Sequence, residues 1–291
     1  MKVTQMSTYR SLSYQIEKSN QQRYELYEQA TTGKRVNRSS DDPAAVGPIL
    51  STTEEIQKLD RYMETTDATQ NDLDIVDGHL DQVSSLLIRA KEIAISGSNS
   101  SNSAEDMQTL AKEVVQLKKQ LLDIANAKVD GNYLFSGYAD KTTPFSGDPV
   151  VYNGTNDHKQ VEVSAGQTVQ TNLTGSELFK NPTDIFATID QLEGALNSGD
   201  HTSVSNQLDS IESSAEQIRG ARSQMGNINS HLDDVKSLTE EIKLQMQSRL
   251  SNYEDADIVN TLTEISQAEQ SLEAALKISA QVSKLSLLNF M

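Results

Sequence analysis

LDIVDGHLDQVSSLLIRAKEIA, residues 73–94, is the stretch on which the fold turns. Leu73, Val76, Leu80, Val83, Leu87, Ala90 and Ala94 recur at alternating three- and four-residue spacing with no polar break. That is one face of an α-helix of the coiled-coil type. Downstream, GSNSSNS at residues 97–103 is polar and serine-rich, so the helix stops there. Ser103 stands three residues before Asp106, the spacing of a capping box. Met107, Leu110, Val114, Leu117, Leu121 and Ile124 then line a second helix that runs toward Gly131. Two helices joined so briefly are expected to pair antiparallel as a hairpin.

Composition limits what can surround that hairpin. The chain has 291 residues, of which 36% are hydrophobic and 5% aromatic, with no Trp and five Phe. One large core built on bulky side chains is not expected from such a mixture. Acidic residues number 42 against 25 basic ones, a formal charge of -17, which argues against a polyanionic partner such as nucleic acid. There is no 18-residue apolar run, and the start MKVTQMSTYRSLSYQIEKSN lacks the apolar core of a secretory signal, so secretion by the Sec route is not expected. The absence of Cys removes disulfides, thiol nucleophiles and thiolate metal sites together.

Outward from the hairpin the helical period recurs on both sides. Toward the start, Tyr9, Leu12, Ile16, Leu26 and Ala30 share a stripe that Ser19 and Arg23 interrupt, and Gly33 suits its C-cap. Toward the end, Ile185, Ile189, Leu192 and Leu196 are followed by a pause at NSGD. A long tract from Val204 through Ile211, Ile218, Met225, Leu232 and Val235 to Ile242 then resumes the pattern. After SNYEDAD, residues 251–257, Ile258, Leu262, Ile265, Leu272 and Leu276 form a last stripe, with Ala268, Ala275 and Val282 beside it. Residues 131–182 read differently. Aromatics, glycines and prolines alternate there with Val161, Val163, Val169 and Thr171, and Asn153-Gly154 is a tight-turn signal, so a small β-rich insert is expected.

The expected fold is therefore mainly α, with an elongated antiparallel rod of long coiled-coil-like helices, paired terminal helices and one β-rich insert. The expected divisions are 1–40 with 252–291 for the terminal pair, 41–130 with 183–251 for the rod, and 131–182 for the insert. Narrow terminal helices have little area to bury and isolated helices are marginal, so their uncovered faces predict self-association. TTGKRVNRSSDDPAA, residues 31–45, joins the first helix to the rod. Asp41 or Asp42 can cap the rod helix with Pro43 in its first turn, and Lys34, Arg35 and Arg38 can offset nearby carboxylates. A plain helix-loop-helix connector uses the same chemistry.

These residues also carry a family resemblance. Gly33-Lys34-Arg35, Asn37 and Asp41-Asp42-Pro43-Ala44 resemble the signature that links terminal helix to rod in the flagellin family. RSQMGN at 222–227 and YEDADIVNTL at 253–262 are similar to elements of the far end of that family, in the same order. DGNYLFSGYADKTTPF at 130–145 is similar to the segment that marks the family's hook-filament junction branch, as are the MKVTQMSTYR start and the LSLLNF finish. One departure is Gly47-Pro48, where a kink or restart is expected because a proline in a helix interior costs about 3 kcal/mol.

The resemblance implies a structural protein of the bacterial flagellum, extracellular, exported by the flagellar type III apparatus and folding on assembly. Its implied partners are further copies of itself, hook-associated protein 1, flagellin, an export chaperone and the type III apparatus. Leu12, Ile16, Leu26, Leu262, Ile265, Leu272 and Leu276 are then the expected assembly interface. Gly33, Arg35, Asn37, Asp41, Asp42, Pro43, Asp255 and Asp257 are the expected spoke between layers. A bulk flagellin subunit is the first alternative, and a free-standing coiled-coil adhesin or stalk is the second. No catalysis, cofactor or metal is expected, because His79, His158, His201 and His231 are scattered without ligand spacing and no phosphate-binding loop is present. Asn153-Gly154-Thr155 and Asn172-Leu173-Thr174 match glycosylation sequons, which arise often by chance, and the first is read as a turn.

Overall fold

The computed structural model describes residues 2–288, with side chains described at residue 7 and from 9 to 281. The element order is α1 Lys2–Thr32, α2 Pro43–Gly97, α3 Ala104–Ala125, six short strands, α4 Gly175–Phe179, α5 Ile185–Ser198, α6 His201–Glu254 and α7 Ile258–Leu288. Val282, the MKVTQM start and the LSLLNF finish have side chains outside the described residues. The chain is mainly α, and it divides into two compact units, Met1–Lys58 with Glu241–Met291 and Leu59–Glu240. The divisions fall within α2 and α6.

In the unit of residues 59–240, the stripe that opened the argument is the core. Leu80, Val83, Leu87, Ala90 and Ala94 are fully buried, and Met107, Val114 and Leu121 of α3 meet them. Arg89 pairs with Glu113 at 2.6 Å, consistent with antiparallel return across the short connection. The capping box forms as its spacing predicts: Asp106 N–H donates to Ser103 Oγ at 3.2 Å, and Ser103 N–H donates to Asp106 at 3.0 Å. On the far side, Lys118 reaches Asp190 of α5 at 2.6 Å. Burial pulls the Lys118 ammonium's pKa down, but its bonds to Asp190 and Asp148 outweigh that and hold it raised.

α2 and α6 run antiparallel, and polar pairs fix their register. Lys236 meets Asp67 at 2.6 Å, Asn229 meets Asp74 at 3.0 Å, Arg222 meets Asp77 at 2.8 Å and Asp81 at 2.6 Å, and Lys91 meets Glu212 at 2.6 Å. Each step of one helix toward its end moves the partner back by the same amount. A slip by one residue would break all of these pairs and turn the buried stripe out of the seam.

The strands form three antiparallel hairpins: Lys128–Val129 with Asn132–Tyr133 (β1, β2), Phe145–Ser146 with Val151–Tyr152 (β3, β4), and Gln160–Ser164 with Gln167–Gln170 (β5, β6). Val161 faces Val169 in the third. The first turns at Asp130-Gly131, with φ of 51° and 76°, the pair of left-handed residues that a type I′ turn requires. Asn153-Gly154, the expected tight turn, instead follows β4. Gly154 is needed there because a side chain would collide with the Tyr152 ring. The insert has no core of its own. Phe135, Phe145, Phe179 and Phe186 are fully buried with ring centroids 5.3–6.0 Å apart, in one cluster continuous with the helical core.

Two helix boundaries differ from expectation. α2 starts at Pro43 and continues through Pro48 without restarting. Pro48 lies about one turn in, where only the Ala44 carbonyl loses its intrahelical donor, so the cost is smaller than in a helix centre. SNYEDAD breaks the chain only at 255–257, because α6 runs on to Glu254.

Candidate assembly interface

The unit of residues 1–58 and 241–291 is built on α1 against α7. They are antiparallel, since Lys34 bridges to Asp255 while Tyr27 Oη, several turns away, donates to Glu269. That bond holds the Tyr27 hydroxyl above its usual pKa. The seam buries Leu26, Ile265, Leu272 and Thr261, with Ala268 and Ala275 half-buried along it. Leu12 and Ile16 are half-buried on α1.

The apolar stripe of α7 is wider than the seam. Thr261, Ile265 and Leu272 lie under α1, whereas Leu262 and Leu276, on the next flank of the same stripe, are 55% and 51% exposed. Ile258 and Val259 are exposed as well, as are Tyr9, Tyr14 and Tyr24 on α1. The seven residues expected as an interface are thus divided. Leu26, Ile265 and Leu272 are covered by the chain itself, and Leu262 and Leu276 are uncovered. Burying a side chain of that size is worth about 1.5–3 kcal/mol, so the uncovered flank is a substantial unmet drive to associate.

The two linkers are joined to each other. Gly33 at φ 74° closes α1, donating to Gln29 O at 2.9 Å. The chain then lies against the end of α6: Arg35 N–H donates to Glu254 O at 2.6 Å, and Ala256 N–H donates to Gly33 O at 2.9 Å. Lys34 forms an ion pair with Glu254. Arg35 is the centre, its guanidinium donating to Asp42 at 3.0 Å and to Tyr253 O at 2.8 Å. Asn37 Nδ2 donates to Lys34 O at 2.9 Å, while Asp41 accepts the N–H groups of Asn37 at 3.0 Å and Arg38 at 2.8 Å. Val36 is buried beneath.

Carboxylates start each following helix. Asp42 accepts from Ala44 and Ala45 N–H, both at 3.2 Å, with Pro43 as first residue of α2. Asp257 accepts from Val259 at 3.0 Å and Asn260 at 3.1 Å at the start of α7, and Asp255 accepts from Ser251 Oγ. The amide of Arg38 is the largest influence holding Asp41 below its ordinary pKa, and the Arg35 guanidinium does the same for Asp42. Of the eight expected linker residues, Gly33, Arg35, Asn37, Asp41, Asp42 and Asp255 are joined through these bonds, whereas Pro43 and Asp257 sit at the starts of α2 and α7. Val36, Tyr253, Glu254 and the Tyr27–Glu269 bond were not anticipated. The only signal for them was the match of Lys34-Arg35 with Glu254-Asp255 across more than 200 residues.

Elsewhere His201, His231 and His158 make bonds within the chain, while His79 Nδ1 is buried without a hydrogen-bond partner. His201 Nδ1 lies 2.8 Å from Gly97 O, His231 Nε2 lies 3.0 Å from Gln167, and His158 Nε2 lies 3.2 Å from Glu177. Among the described residues no group of three His, Asp or Glu is placed to hold a metal, and no helix is long and apolar enough to cross a membrane.

The bacterial flagellin N-terminal helical region matches residues 3–140, which takes in α1, the first linker, α2 and α3. The chain is 27% identical over 287 residues to flagellar hook-associated protein 3 of Escherichia coli (strain K12), covering 89% of this chain and 90% of that protein. The chain is a relative of flagellar hook-associated protein 3. Likeness to flagellin is also broad: the flagellin of Halalkalibacterium halodurans is 23% identical over 259 residues, 88% of this chain and 86% of that one. A solved structure of a putative flagellar hook-associated protein from Vibrio parahaemolyticus has the same fold, with a TM-score of 0.70 at 24% identity. It covers 74% of this chain and 100% of that one. The matched flagellin region thus takes in the first terminal helix and the helical hairpin on which the fold was read.

Proposed function

We propose that this chain is a structural, non-enzymatic subunit of the bacterial flagellum at the hook-filament junction, lying outside the cell and exported by the flagellar type III apparatus. The observation that carries it is the helix pair with one flank of α7 left open, in a chain similar along nearly its whole length to hook-associated protein 3. Copies of the chain cover Leu262 and Leu276 of their neighbours, while Leu26, Ile265 and Leu272 hold the pair inside each copy. The bonded linkers from Gly33 to Asp42 and from Asp255 to Asp257 are the spoke between the helix pair and the rest of the subunit. Hook-associated protein 1 and flagellin are its partners on either side, and an export chaperone holds the C-terminal helix before export.

Folding on assembly follows from the same geometry. A helix pair whose apolar stripe is half covered is marginal alone, and a neighbour completes it. The test is electron microscopy of cells lacking the gene, with an immunoblot of the medium for flagellin. Bare hooks with flagellin shed into the medium are expected. Normal filaments would contradict the junction role, and loss of the filament together with loss of flagellin itself from cells and medium would favour the flagellin reading, which the match to the flagellin N-terminal region supports.

A further inference from the structure

A cavity of about 190 Å3 lies within the unit of residues 59–240, between α2, the β1–β2 hairpin and the open end of the β5–β6 hairpin. Three charged side chains line it, each from a different element. Asp72 belongs to α2, Asp130 is the left-handed residue of the β1–β2 turn, and Lys159 leads into β5. The backbone of Lys159 is held on both sides, its N–H donating to Asn172 Oδ1 at 2.6 Å and its carbonyl accepting from Thr171 N–H at 2.9 Å. Among the described residues none of the three charged groups has an ion-pair or hydrogen-bond partner. Lys159 is also half-buried, so its ammonium loses hydration with no pairing to offset the loss. Between the charges the wall is apolar, made by half-buried Val76 and Leu134 and buried Leu173.

We propose that this cavity is a binding site for a free basic amino acid of the lysine type. Its charges are the complement of such a ligand. Asp72 and Asp130 offer carboxylates to the α-ammonium and the side-chain cation, Lys159 offers an ammonium to the α-carboxylate, and Val76, Leu134 and Leu173 face the methylene stem. Other small ligands fit the same charges less well. A phosphate would meet two carboxylates, a divalent cation would meet Lys159, and an uncharged sugar would leave all three charges uncompensated. The volume lies below the roughly 300–1,000 Å3 of drug-sized sites and suits an occupant with on the order of ten non-hydrogen atoms.

The experiment is titration of the purified full chain with L-lysine at matched ionic strength, followed by the NMR shifts of the Asp130 and Lys159 amides. A dissociation constant of about 1 mM is expected for a ligand of that size on partly exposed charges. Asp72→Asn, Asp130→Asn and Lys159→Met should each weaken binding by about threefold, the scale of an exposed ion pair, and the triple variant by about thirtyfold. Norleucine, which lacks the side-chain cation, and cadaverine, which lacks the carboxylate, should each bind about threefold more weakly than lysine. Val76→Phe fills the cavity without removing a charge and is expected to abolish binding, so that a folding defect in the charge variants does not decide the outcome. Nα-acetyl-lysine amide, which carries only the side-chain cation of a lysine inside a peptide, should bind about tenfold more weakly than lysine. Equal affinity for the two would overturn the free amino acid as occupant. Amide signals unmoved at about 50 mM lysine, or shifts that persist unchanged in the triple variant and in Val76→Phe, would overturn the site itself.

Discussion

The two units solve the problem of a small aromatic allotment in opposite ways. Residues 59–240 concentrate Phe135, Phe145, Phe179 and Phe186 in one fully buried cluster continuous with the helical core. Among its described residues the terminal unit has no such cluster. It buries Leu26, Val36, Ala45, Ile265 and Leu272, and leaves Leu262, Leu276 and several tyrosines in solvent. The first closes its core within the single chain, and the second leaves an apolar flank of α7 uncovered. Stability and association are therefore expected to separate cleanly between them.

The largest effect that could break this contrast is in the aromatic cluster. Phe179→Ala removes a ring packed edge-on to Phe135 and Phe145 and is expected to cost about 3–5 kcal/mol of global stability by denaturant titration. Association through α7 should survive at temperatures where the variant is folded. Next, Leu272→Ala in the seam is expected to cost about 2–3 kcal/mol, confined to the terminal unit in hydrogen exchange. Leu276→Glu should change monomer stability by less than about 0.5 kcal/mol while removing association, since its side chain is already in water. A Leu276 variant that unfolds the monomer would erase the distinction between covered and uncovered flanks.

Smaller effects sharpen the role of the linkers. Arg35→Ala loses the bonds to Asp42 and Tyr253 O, and exchange at the amides of Arg35, Val36 and Ala256 is expected to quicken by about tenfold. Gly33→Ala, at φ 74°, should cost about 1 kcal/mol in the same region. Acid gives the mildest test. Asp41 and Asp42 are held below their ordinary pKa, so their contribution is complete above the ordinary carboxylate range and is lost as pH falls below about 4. Amide signals of Val36 and Ala256 should move through that range while those of Phe135 and Leu192 hold. Linker signals that titrate at or above the ordinary carboxylate range would contradict the bonding described.

Much of the helical framework was legible because its signals are local. The stripe from Leu73 to Ala94, the box of Ser103 and Asp106, and the stop at Gly199 each depend on residues within one or two turns. What escaped was nonlocal. The pairing of Lys34 with Asp255 joins residues 221 positions apart, and no period or cap encodes it. The α7 stripe was visible, but a seam occupies only part of such a stripe, and which part depends on the angle at which α1 crosses. Thr261 was buried in place of Leu262 for that reason. The insert was recognised by its composition, yet its union with the helical core through Phe179 and Phe186 rests on packing among residues that no spacing rule relates. The effect of Pro48 was not legible because its cost depends on distance from the helix start, which was itself unknown.

The most direct test of the central claim is limited proteolysis with mass spectrometry of the full chain, dilute and assembled. The dilute chain is expected to lose both ends quickly, leaving a core from about residue 40 to about 250, and assembly should protect the ends. Ends that resist protease in the dilute monomer as well as the core does would show that the terminal pair is complete without a neighbour and would contradict the account.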